Sequence, residues 1–62
     1  MKVKEVVKLI KADGWYLARH GKGDHKVYKH PAKPGIIVID GKLSDDMPKG
    51  TRKQVLKAAG LE

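Results

Sequence analysis

Apolar positions near the N-terminus recur at Val3, Val6, Val7 and Ile10, the i, i+3, i+4, i+7 spacing of one helical face. Lys4, Glu5, Lys8 and Lys11 lie off that stripe. Asp13-Gly14 supplies a stop, with Gly14 suited to a left-handed C-terminal cap. The spacing predicts a helix over residues 3–12. The aromatic and apolar run Trp15–Arg19 then predicts a strand. "HGKGD", residues 20–24, reads as a turn relaxed by two glycines. His25–His30 alternates, with Val27 on one face and Tyr28 on the other, as a partly solvent-facing second strand does. "PAKPG", residues 31–35, closes a second hairpin, and the β-branched run Ile36–Asp40 predicts a third strand with substantial burial. After the polar connection "GKLSDD", residues 41–46, a second helical stripe runs through Arg52, Val55, Leu56 and Ala59. Pro48 suits its first turn, Gly60 ends it, and Leu61 can fold back as the apolar contact of the cap.

The order α-β-β-β-α predicts an α+β domain. A three-stranded antiparallel meander cannot bury its apolar face alone, so both helices are expected on one face, leaving the other face or its rim open and basic. The 62 residues make one domain. A chain this short buries only about 60 % of its unfolded surface. With no cysteine, neither a disulfide nor a thiolate metal site supplements the core.

Charge narrows the partners. Fourteen Lys+Arg against seven Asp+Glu give a net charge of +7, which points to a polyanion. A membrane is not the expected partner: the longest apolar run, Ile36–Ile39, falls far short of the roughly 20 residues that span a bilayer. No secretory h-region follows the N-terminal lysines, so a cytoplasmic protein is expected.

Most catalytic chemistries find no support. His20, His25 and His30 are five apart, and strand alternation sends His25 and His30 to opposite faces, so no shared metal is expected. Ser44 and Thr51 sit in turn and cap contexts. Asp45 and Asp46 are read as caps of the second helix. "GKG" at 21–23 lacks the context of a phosphate-binding loop. What is left is histidine in a basic setting. RNA carries its own nucleophile, the 2′-hydroxyl, and its cleavage needs proton transfer and positive charge near the phosphate. His25, after a glycine turn and beside Lys22 and Lys26, fits that demand. On the residues alone, a surface or phosphate-contact role is the plainer reading.

Three segments, in order, bear a resemblance. "LIKADGW" at 9–15, "GDHKVYKHP" at 23–31 and "MPKGTRKQVLKAAGL" at 47–61 together span nearly the whole chain. The chain resembles the HicA (YcfA-like) family of small bacterial toxins that act as mRNA interferases. The resemblance implies a fold like the double-stranded-RNA-binding domain. It implies metal-independent cleavage of mRNA without a cofactor, shutting down translation. It implies a single catalytic histidine, at His25, and a HicB-type antitoxin that binds the toxin and occludes that residue. The chain does not fix the oligomeric state; a free monomer and a hetero-oligomer with the antitoxin are the arrangement considered. His30 corresponds to a second family histidine, read as structural. The match departs at Asp24, where the family often has Ser; a carboxylate there either orients the imidazole and favours its charged form or repels the phosphate. The turn is also longer by Gly21.

Expected phosphate contacts are Lys22, Lys26, Lys29 and Lys33 near the sheet, with Lys49, Arg52 and Lys53 on the second helix. Duplex or structured RNA would be read mainly by shape. Trp15 and Tyr28 are available for base stacking, although a domain this small needs its one tryptophan in the core. The alternatives are a non-catalytic RNA-binding module on the same scaffold and a protein-interaction domain that docks an acidic antitoxin.

Overall fold

The computed structural model describes Met1–Glu62. Helix α1 (Val3–Ala12) is followed by strands β1 (Tyr16–His20), β2 (Lys26–Lys29) and β3 (Ile37–Ile39), then helix α2 (Lys49–Ala58). The strands form one antiparallel sheet in the order β1-β2-β3. This is the expected α+β architecture. No helix is long and apolar enough to cross a membrane.

The α1 stripe behaves as its spacing requires: Val3, Val6, Val7 and Ile10 are all buried. The N–H groups of Val3 and Lys4, which have no intrahelical acceptor, donate to the carbonyls of Asp45 and Leu43. Those bonds tie the loop before α2 to the start of α1. Lys2 adds an ion pair to Asp46. Asp45 and Asp46 are therefore occupied elsewhere, and neither caps α2: Pro48 is its N-cap residue and makes no side-chain cap bond. Gly60 at φ +77° closes α2, with the Leu61 N–H donating to the Leu56 carbonyl.

The core is a single cluster in which Trp15, Tyr28, Ile37 and Ile39 meet α1, Val55 and Ala59. Tyr28, 2 % exposed, is thus a core residue rather than a stacking platform, and burial pushes its phenol pKa up. Trp15 is likewise buried, with its indole N–H donating to the Ala59 carbonyl. The third strand differs from the expected two-sided burial. Ile37 and Ile39 are 3 % and 1 % exposed, but Ile36 and Val38 between and beside them are 52 % and 48 % exposed. The helices cover only one face of the sheet; on the other, Val27 of the central strand is 4 % exposed while Val38 on the edge strand stays open, so a continuous apolar run here reports strand propensity and not two-sided packing. β1 is shifted by one residue, starting at Tyr16 because Trp15 turns into the core, while β2 loses His25 and His30 and β3 loses Ile36 and Asp40 at their ends.

Candidate active site

The register divides the side chains between two faces. Tyr28 and Ile37 are paired, as are Lys26 and Ile39, and the buried members of those pairs face the helices. Arg19, Val27 and Val38 form the next row and so face the open side. Tyr16 and Lys29 form another open-side row. A β-bulge around Ala18, between Leu17 and Arg19, re-aims β1 to keep Arg19 opposite Val27.

His25 stands at the entry to β2, where the turn brings the Gly21 N–H to its carbonyl at 2.8 Å. With Arg19, Gly21, Lys22, Val27 and Val38 it lines a shallow concavity of about 300 Å³ on the open face. Its Nδ1 lies 2.7 Å from the Lys22 carbonyl oxygen. A carbonyl only accepts, so Nδ1 carries the proton and donates. The neutral ring then keeps its lone pair on Nε2, which has no partner within the chain. The Asp40 carboxylate lies 3.8 Å from Nδ1. Asp40 is itself oriented by accepting the Gly41 N–H at 2.8 Å. Both side chains of the pair are about half or more exposed, so its worth lies in placing negative charge behind the ring rather than in stability.

His30 has the opposite arrangement. Its Nδ1 accepts from the N–H groups of both Ala32 and Lys33 at 3.0 Å, so the proton sits on Nε2, which donates to the Asp13 carbonyl at 2.7 Å. The ring is 9 % exposed and lies edge-on to Trp15, with centroids 5.3 Å apart. A Cβ at residue 14 would come within 2.7 Å of His30 Nε2, and Gly14 is at φ +111°, so glycine is required there twice over. Every polar atom of His30 is spent on holding the chain. Of the two rings, His25 alone has a nitrogen facing solvent.

The expected phosphate contacts are dispersed. Lys22 lines the concavity, and Lys29 lies on the open face near Arg19. Lys26 is committed to carbonyls: its ammonium donates to Gly41 at 2.9 Å and to Asp24 at 3.3 Å, linking the β1–β2 turn to the loop after β3. Lys33 is at the other end of β2, bonded to the Asp13 carboxylate and to the Ala59 carbonyl. That hydrogen bond holds the Asp13 carboxyl below its ordinary pKa. Lys49, Arg52 and Lys53 belong to α2, in the layer behind the sheet. Asp24 makes no side-chain contact with His25; the carboxylate beside the ring is Asp40. Two residues of the site, Asp40 and Arg19, are not evident from sequence. Asp40 reaches His25 only through β2–β3 pairing. Arg19 reaches it only through β1–β2 pairing with a bulge. A signal for Arg19 existed: it is the one guanidinium within the predicted strands.

Comparison with known proteins gives one result. A family model described as "HicA toxin of bacterial toxin-antitoxin" matches residues 3–61. No curated protein was found to match the chain.

Proposed function

We infer the function from the premise that the chain belongs to the HicA toxin family of bacterial toxin–antitoxin systems. It is the toxin of such a pair, with an antitoxin as its partner. The reading the site supports best is a metal-independent endoribonuclease that cleaves mRNA in the cytoplasm and so halts translation. One observation carries it: a histidine whose Nδ1–H is anchored on a carbonyl and whose Nε2 is free, in a concavity that also holds Arg19 and Lys22.

The chemistry follows from that ring. Nε2 takes the proton of an RNA 2′-hydroxyl as its oxygen attacks the adjacent phosphorus. The bond from phosphorus to the 5′-oxygen breaks, and the proton held on Nε2 passes to that leaving oxygen. The products are a 2′,3′-cyclic phosphate and a 5′-hydroxyl, with no net proton consumed. The Lys22 carbonyl keeps the ring oriented throughout. Asp40 offsets the positive charge the ring carries between the two transfers. Arg19 and Lys22 supply positive charge for the crowded phosphate. A HicB-type antitoxin neutralises the toxin by covering this concavity.

The test is incubation of labelled RNA with the protein in excess EDTA. Cleavage is expected. Intact RNA that remains bound, with an affinity falling steeply with salt, would instead establish a non-catalytic RNA-binding module.

A further inference from the structure

We propose that the strand to be cut is single-stranded RNA laid across the open face of the sheet, with a nucleobase stacked on Tyr16 and the intervening phosphates held by Arg19 and Lys29. This rests on the ribonuclease reading of His25 and extends it to the class of substrate and its path.

The open face has the composition of a platform rather than of a solvated surface. Tyr16 is 50 % exposed, Ile36 52 % and Val38 48 %, in a chain whose charged residues make up a third of its length. Register and strand alternation put these residues on one face. Tyr16 and Lys29 form one row, with Ile36 at its β3 end; Arg19, Val27 and Val38 form the next; His25 and Asp40 stand at the end beyond. The Tyr16–Lys29 row is four residues along β2 from His25, about 13 Å at strand rise. Three large apolar side chains left open on one face of so small a domain, with a cation between them, mark an interaction surface.

Charge selects RNA as the occupant. Arg19 and Lys29 stand on this face, and neither is engaged by any carboxylate or carbonyl of the chain. Two free cations between an exposed aromatic ring and a proton-transfer histidine match a chain of alternating phosphates and bases. In the other direction, past β3, the groove leading to α2 is lined by Asp40, Asp45 and Asp46. That side repels phosphate, so the strand is directed from His25 toward β1.

The reaction demands the same state of the RNA. The 2′-oxygen must come into line with the departing 5′-oxygen, which the regular A-form helix does not permit. A single strand can turn its sugar and splay its bases, and splayed bases stack on aromatic side chains. The path therefore differs from the duplex shape reading that the scaffold alone suggests.

Binding is measured by fluorescence anisotropy on the His25→Ala protein, which preserves the RNA, using a labelled 12-nucleotide single strand and its duplex. The single strand is expected to bind more tightly than the duplex. Adding Tyr16→Ala should weaken single-strand binding about 5- to 100-fold with an unchanged salt slope, while Tyr16→Phe should stay within about twofold. Arg19→Ala should lower the salt slope by about one. Duplex binding as tight as the single strand, or an unaltered affinity in Tyr16→Ala, overturns the path. So does a Tyr16→Ala that changes only self-association in sedimentation, which would make the face a protein interface. The two readings fail separately. Tyr16-dependent binding by a protein that cleaves nothing keeps the path and removes the catalysis. Cleavage of the single strand by the parent protein, with Tyr16→Ala affinity unaltered, does the reverse.

Discussion

Replacing His25 by alanine is expected to slow RNA cleavage by about 10²–10⁴-fold, the usual worth of a positioned general acid–base group. The fold should survive. His25 is exposed, its side chain makes one hydrogen bond to a carbonyl, and it is not part of the core cluster. Thermal unfolding should therefore stay close to that of the parent protein while activity collapses. The arrangement behind the ring explains why the loss should be large. Lys22 fixes the tautomer through its carbonyl, and Asp40 holds negative charge on the side away from the substrate. On the proposed mechanism both serve a ring whose outward nitrogen handles the proton. Steady-state cleavage rates and circular dichroism on the same preparations decide the matter. Activity within about threefold of the parent would remove His25 from the chemistry. Loss of activity together with loss of the fold would make it structural.

Replacing His30 by alanine should give the reverse phenotype. The ring accepts two backbone N–H groups and donates to the Asp13 carbonyl, and its edge packs on Trp15. Alanine leaves the part-buried Lys33 N–H and Asp13 carbonyl without their partner, frees the exposed Ala32 N–H to water, and opens a void beside the tryptophan. The expected cost is about 2–4 kcal/mol. A domain of this size is stable by roughly 3–9 kcal/mol in total, so the melting temperature should fall by about 10 °C or more. Lys33 loses some of its anchoring as well, because its own N–H is one of the two that His30 receives, and its ammonium joins Asp13 to Ala59 at the ends of both helices. At a temperature where the variant is folded, its cleavage rate should match the parent's. A melting temperature within about 2 °C of the parent would show that the strap formed by residues 30–33 is not holding the helix ends together.

Two histidines five residues apart thus end in opposite tautomers, and the sequence pattern alone goes only part of the way to that result. Alternation along β2 is enough to send them to different faces. Helical periodicity is enough to place Val3, Val6, Val7 and Ile10 in the core, and the β-branched run is enough to mark β3. Which faces are covered depends on where the helices pack, so Ile36 and Val38 cannot be told from Ile37 and Ile39 by hydrophobicity. The same holds for charge. Lys26 and Lys29 look alike in sequence, yet Lys26 is bound to the Gly41 carbonyl across the sheet, while Lys29 projects from the open face. Asp24 adjoins His25 in the chain, but Asp40 is beside it in space. Each of these differences is a product of register, and register is fixed by tertiary packing and turn length together.

On the proposed mechanism His25 moves a proton from an RNA 2′-hydroxyl. The most direct measurement replaces that single hydroxyl by hydrogen, on the nucleotide 5′ to a mapped cleavage site, leaving every other 2′-hydroxyl in place. The cut is expected to disappear at that position while cuts elsewhere continue at the parent rate, each leaving a 2′,3′-cyclic phosphate. Continued cleavage at the substituted position would contradict it, because the nucleophile would then have to be something other than the RNA itself.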